Sequence, residues 1–227
     1  MGVDRWLRPA MLIGIAMGAC ALTSWTTHAE EGRSRPVQTM RVAAETAGVP
    51  QRAVLYEEDP NNPTGQRFDG TATWSAKVVR GERPNQAPET VIEAVILVPE
   101  RGMNLRLTLR HNTDTSLPAS HTLEVMFKLP DNASFGIGNV PGLLMKSAEN
   151  QRGVPLAGTS VKVTTGFFLI GFSVTEDNVS RNVNLLKERP WLDLPIVYDS
   201  GRRAILAVEK GETGIAAFTT AFAAWGE

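Results

Sequence analysis

The sequence predicts a mainly β fold: an antiparallel β-sandwich of about nine short strands with two helices in the C-terminal third. Three observations carry that expectation. Apolar residues alternate with polar ones at the two-residue period of half-buried strands, most clearly around Ala72–Val78, Leu105–Leu109 and Leu123–Leu129. Turn clusters such as Asp59-Pro60-Asn61-Asn62-Pro63 and Pro99-Glu100-Arg101-Gly102 recur at short spacing. Helix start and stop signals gather only after Thr175.

The first strand is Arg52–Glu57, halted by the Asp59–Pro63 cluster. In the second, Ala72, Trp74, Ala76 and Val78 face one way while Thr71, Thr73, Ser75 and Lys77 face the other. Gly81–Pro88 is a polar loop, and Val91–Val98, apolar on both parities apart from Glu93, reads as a central strand. Leu105, Leu107 and Leu109 then match Leu123, Val125 and Phe127. A hairpin pairing Leu107 with Val125 puts every apolar side chain on one face and sets His111 opposite His121, whereas a one-residue slip turns one set outward. The outer face of this hairpin carries Arg106, Arg110, Glu124 and Lys128, with Arg106 diagonal to Glu124.

Asn132–Gly158 is rich in Gly and Pro, with a short helical piece expected at Leu143-Leu144-Met145. Ser160–Thr165 and Phe167–Val174 read as strands. The strongest helix has Thr175 as N-cap, Glu176 and Asp177 in its first turn, Lys187 and Arg189 in its last and Pro190 as its stop, and it buries Val179, Val183 and Leu186. Leu192–Tyr198 and Arg203–Val208 form a hairpin through Asp199-Ser200-Gly201, with Arg202-Arg203 and Lys210 expected along a solvated sheet edge. A final helix from about Thr213 puts Ile215, Phe218, Phe222 and Trp225 on its buried stripe.

Ahead of this body stands an N-terminal address. Arg5 and Arg8 precede an uncharged apolar run from Ala10 to Leu22, roughly 20 Å of helix, which suits a signal-peptide core better than a bilayer span. Small residues at Thr27-His28-Ala29 place a cleavage site before Glu30. The expected organisation is a signal peptide or N-terminal anchor over 1–29, a flexible tether over 30–51 and a single β-rich domain over 52–227. Two other fates of the first segment stay open: retention as an uncleaved anchor, and lipidation at Cys20, although Met17 stands where lipoprotein boxes usually carry Leu. Membrane contact is expected only through this segment, if it is uncleaved.

Composition excludes several function classes. Lys plus Arg is 23 against Asp plus Glu at 24, so no cationic footprint for nucleic acid exists. One cysteine forbids an internal disulfide or a cysteine zinc cluster, and no cofactor motif is present, since Gly136 and Gly138 lack the further glycine and helix of a dinucleotide loop.

Three runs, Arg52–Glu58, Asn112–His121 and Arg202–Gly211, resemble in order and spacing an uncharacterised family of bacterial cell-envelope proteins, exported or membrane-anchored, with no assigned activity. The likeness spans roughly Arg52 to Gly226. It implies an envelope location, in the periplasm or on the periplasmic face of the inner membrane, and transfers no catalytic residue.

The candidate ligand-binding residues are His111, Asp114, Ser116, Ser120 and His121, on and beside the loop joining the matched strands. Ser, His and Asp are the ingredients of a nucleophilic triad, but no Gly-x-Ser-x-Gly elbow accompanies them. Facing imidazoles at His111 and His121 could share a metal with Asp114 as third ligand; the plainer reading is a pair of half-buried histidines bonded locally. The preferred function is therefore an exported, non-catalytic binding or scaffold module for an envelope protein or small ligand. The alternative is a metal-dependent or hydrolytic enzyme centred on residues 111–121.

Overall fold

Twelve strands and two helices follow one another in the part of the chain that the computed structural model describes, residues 49–80, 87–130, 133 and 135–227. The expected signal segment, the expected tether up to residue 48, the core of the 81–88 loop and Asn132 lie outside those residues. The strands are β1 (Gln51–Asp59), β2 (Asn62–Val79), β3 (Glu89–Val98), β4 (Met103–His111), β5 (His121–Lys128), β6 (Ile137–Asn139), β7 (Leu144–Lys146), β8 (Val154–Pro155), β9 (Gly158–Thr164), β10 (Phe167–Phe172), β11 (Trp191–Tyr198) and β12 (Arg203–Glu209). The helices are α1 (Glu176–Glu188) and α2 (Gly211–Trp225).

The sandwich expectation is corrected here. All strands belong to one antiparallel sheet in the order β8-β7-β11-β12-β1-β2-β3-β4-β5-β10-β9, with β6 also on β11. β1 pairs with β2 on one side and β12 on the other, so the two ends of the described chain join edge to edge instead of stacking face to face. The sheet curls into a half-barrel. Its two edge strands, β8 and β9, are separated in sequence only by Leu156 and Ala157. Three Cα–Cα steps span at most about 11 Å, so the curl brings the edges close together. Asn182 of α1 fastens this junction: its Oδ1 accepts from the Ala157 N–H and its Nδ2 donates to the Ala157 carbonyl, both at 2.9 Å. Lys162 of β9 reaches across to the Ile137 carbonyl of β6 at 2.8 Å.

Alternation decides which face fills the curl. Leu55, Trp74, Ile92, Leu107, Val125, Phe168, Leu194 and Leu206 all point inward and are buried. Helix α2 packs against β1, β2 and β3 on that concave side. Phe218 meets Trp74 edge-on at 5.6 Å, and the Trp74 indole donates to the Glu209 carbonyl at 2.8 Å. A Cβ on Gly214 would stand 3.1 Å from the Trp74 ring, so glycine there is what lets the helix sit so close. A cavity of about 10 Å³ lined by Trp74, Leu109, Leu186 and Phe218 has room for one water at most, between almost wholly apolar walls. This interior is a packed core.

Several local expectations change. Leu143–Met145 is not helical; β7 forms instead, with Met145 opposite Leu192, because so short a segment cannot nucleate a helix but can extend a sheet. The α2 stripe is rotated: Ile215 is 50% exposed, while Gly214, Ala217, Phe218, Ala221 and Phe222 are buried. In α1 the buried residues are Asn182 and Leu186, and Thr175 makes no side-chain cap. Ser173 Oγ accepts instead from the Thr175 N–H and from Asn178 Nδ2, both at 3.2 Å. Val78 lies on the Trp74 face of β2 but at the end of the strand, and there it is 74% exposed. Arg202, Arg203 and Lys210 do not mark a sheet edge, because β12 lies between β11 and β1.

Candidate functional site

The matched alternation produces the expected register. Leu105 pairs with Phe127, Leu107 with Val125, Leu109 with Leu123, and His111 with His121. The two imidazoles meet at the rim of the half-barrel, ring centroids 5.2 Å apart and perpendicular. His121 is 2% exposed, whereas the His111 side chain is 38% exposed.

Between them, residues 112–120 form an ordered tip organised by Asn112. Its Nδ2 donates to the carbonyls of Asp114 (3.1 Å), Leu117 (3.0 Å) and Ala119 (2.7 Å), and its Oδ1 accepts from the Asp114 N–H at 3.0 Å. Asp114 Oδ1 in turn accepts from the Ser116 N–H (2.9 Å) and Ser116 Oγ (2.6 Å). These are the backbone-satisfying contacts that short polar side chains make in tight loops. Sequence reasoning passed over Asn112, although asparagine is the one side chain there that offers both two donors and an acceptor to a loop.

The five candidate residues are therefore divided. Asp114 and Ser116 engage each other in the tip, while His111, His121 and Ser120 gather at the rim. Ser120 Oγ lies 3.3 Å from His121 Nδ1 and contacts the Phe172 carbonyl at 3.5 Å. The partner that sequence reasoning missed is Glu227, which comes back from the end of α2. Its carboxylate stands 3.2 Å from His121 Nε2 and 3.8 Å from His111 Nε2. Trp225 and Phe222 pack on the His121 ring at centroid distances of 5.4 and 6.0 Å. The Trp225 indole donates to the Thr90 carbonyl at 2.8 Å, which anchors this end of the helix to β3. No local signal ties Glu227 to residues 111 and 121; only α2 crossing the curl does so.

Electrostatics at the rim follow from burial. Desolvation holds the His121 imidazole below its ordinary pKa, the Glu227 carboxylate opposes that shift, and His111 adds to it. The Glu227 carboxylate, at 3.2 Å, is the partner of the fully buried Nε2. Among the described residues no group of three or more His, Cys, Asp or Glu could hold a metal ion.

Two clefts flank the tip. One, about 450 Å³, is lined by polar groups that include Arg110, His111, Asp114 and Glu124. The other, about 590 Å³, lies between Pro118, Ala119 and the β9–β10 face around Thr159, Val161 and Gly171. On the outer face beside them, Arg110 pairs with Glu89 at 2.8 Å and Glu124 at 3.1 Å. Arg106 lies diagonal to Glu124 on β5, as expected, and equally diagonal to Glu93 on β3, with which it pairs at 3.1 Å. A separate cleft of about 750 Å³ lies over the outer face of β1, β12 and β11 near Tyr56, Pro195 and Ile205. Sequence reasoning had no signal for it, since its walls come from strands far apart in the chain.

At the opposite rim, Glu57 is buried and accepts from Tyr198 Oη at 2.6 Å and Arg101 Nε at 2.9 Å. Burial and that carboxylate push the Tyr198 phenol up. The Arg101 guanidinium lies over the Phe135 ring at 4.6 Å, and this group closes its end of the core.

Known protein families, curated proteins and solved structures offer no match to this chain. No described helix is long and apolar enough to cross a membrane.

Proposed function

We propose that this protein is an exported, non-catalytic binding module of a bacterial cell envelope, and that it recognises an envelope protein or a small ligand through the 112–120 tip. The observation that carries the reading is the pre-organised tip standing between two clefts. A loop already fixed by its own hydrogen bonds has little ordering entropy left to lose when a partner docks. The packed interior supports the same reading, since it leaves recognition to outer surfaces and loops.

The export part rests on the charged start, the short apolar run and the small residues before Glu30, together with the resemblance to envelope proteins. Fusion of residues 1–35 to a reporter active only outside the cytoplasm is expected to give signal. Activity confined to a cytoplasmic reporter rejects it. For the tip, a photo-crosslinking residue at Ser116, exposed beside the clefts, is expected to yield one discrete adduct in intact cells. The same group at Val78 serves as control, and indistinguishable adduct patterns at the two positions reject recognition through the tip.

The hydrolytic alternative lacks its arrangement. Ser116 Oγ donates to Asp114 and not to an imidazole, and the serine that does approach one, Ser120, sits against the buried His121.

A further inference from the structure

We infer that β9 is a docking edge for one extended segment of a partner protein, an acidic residue flanked by β-branched apolar ones, which adds to the sheet as a further strand. The inference deepens the proposed recognition of an envelope protein beside the tip, on which it rests for the existence of a partner.

The sheet has two edges. One, β8, is two residues long and includes Pro155, which has no N–H to offer. The other, β9, is seven residues long and exposed throughout except for half-buried Ser160. The ladder fixes which of its groups point outward. The Ser173 N–H donates to the Ala157 carbonyl at 3.0 Å, and the Ser120 N–H to the Phe172 carbonyl at 2.9 Å. Residue 157 therefore faces β10 and Phe172 faces β5. By the alternation of an antiparallel ladder, Gly158, Ser160 and Lys162 then turn their N–H and C=O groups to the free edge. Those groups call for another strand.

The side chains set the chemistry of that strand. Val161 and Val163, 57% and 48% exposed, form an apolar row on the outer face, and Val161 also lines the cleft beside Pro118. Lys162 lies between them on the opposite face and is the only charge on β9. Its Nζ has the Ile137 carbonyl at 2.8 Å and the Phe168 ring at 5.8 Å, and no carboxylate among the described residues pairs with it. An incoming Asp or Glu opposite Lys162 replaces a neutral acceptor with a charged one. The two neighbours of that acid then lie over Val161 and Val163.

The width of the opening selects a single segment. At ~1.5 Å per bond a lysine side chain reaches about 6 Å from Cα to Nζ. The Ile137 carbonyl of β6 thus stands within about 9 Å of β9, no more than two strand spacings of ~4.8 Å. One extended segment fits that width. The folded edge of a second copy does not, because it brings its own next strand.

The test is fluorescence anisotropy of a labelled, end-blocked peptide, Thr-Val-Thr-Val-Glu-Val-Thr, titrated with the full chain. Saturable one-to-one binding is expected, at least tenfold weaker in Lys162→Glu and recovered in that variant by the peptide with Lys in place of Glu. Ser160→Pro removes an outward N–H and no bond to β10. It is expected to weaken binding of the first peptide at least tenfold, with circular dichroism and thermal midpoint unchanged. Absence of saturable binding, or equal affinity in wild type and both variants, overturns the inference. So does a dimer in sedimentation velocity that Ser160→Pro dissolves, since a second copy then holds the edge. Failure of peptide binding with a discrete Ser116 adduct rejects the edge and leaves recognition by the tip standing; peptide binding without that adduct does the reverse.

Discussion

The ammonium of Lys210 donates to the carbonyl of Leu186, so a buried cation at the start of α2 caps the C-terminal end of α1. Lys210 is 1% exposed, and its Nζ also lies 3.9 Å from the centre of the Phe218 ring. One side chain thereby links both helices to the concave face. Burial pushes its pKa down to about 7, while the carbonyl and the ring favour the charged form.

That position makes stability pH-dependent in a defined direction. An unfolded lysine keeps its proton up to about 10.5, while the folded one releases it near 7. Between those values the unfolded chain holds the extra proton, so stability rises with pH. Urea unfolding at pH 7 and pH 9 is expected to differ by about 2 kcal/mol from this group. Lys210→Met is expected to flatten that rise; parallel profiles for variant and wild type contradict it.

His121 acts on the acid side. Its folded pKa lies below the unfolded 6.5, so stability is full above 6.5 and declines as pH falls from there toward the folded value. NMR titration is expected to place His121 below 6.5. Glu227→Gln is expected to move it lower still, because the carboxylate is the group opposing the desolvation shift. A His121 that titrates at or above 6.5 contradicts the burial argument.

Asn112 is expected to control the tip. Asn112→Asp puts an acceptor against the carbonyls of Asp114, Leu117 and Ala119, and about 1–3 kcal/mol of stability should be lost. Hydrogen exchange is the sharper readout. Amides 117 and 119, bonded to the Asp114 and Leu117 carbonyls, should exchange faster, while Leu107 and Val125 stay protected. Unchanged exchange at 117 and 119 would show that the tip is held by something else.

Phe127 packs edge-on against Phe168 at 6.1 Å inside the curl. Phe127→Ala removes a large side chain from a core with little slack, and a cost of about 3–5 kcal/mol is expected by chemical denaturation. A change under about 1 kcal/mol would mean that the β5–β10 layer collapses to fill the gap.

What the sequence by itself determined is whatever one strand or one hairpin decides locally. Leu105, Leu107 and Leu109 against Leu123, Val125 and Phe127 admit one register, since a slip by one residue exposes a whole apolar set. The His111–His121 pair and the burial of Phe127 follow from it, and the patterns of their own elements give the burial of Trp74, Phe168 and Phe222. The tertiary structure alone decided what joins distant segments. β1 between β2 and β12 turns an expected sandwich into one curled sheet, because nothing in a strand's alternation names its neighbours. Lys210 reads as a solvated charge until α1, α2 and the sheet enclose it. Glu227 reaches the histidines only because α2 crosses the concave face, held close by Gly214 against Trp74 and by Trp225 on Thr90. Periodicity records which side of an element is buried; the partners it is buried against depend on chain crossings that no local pattern encodes.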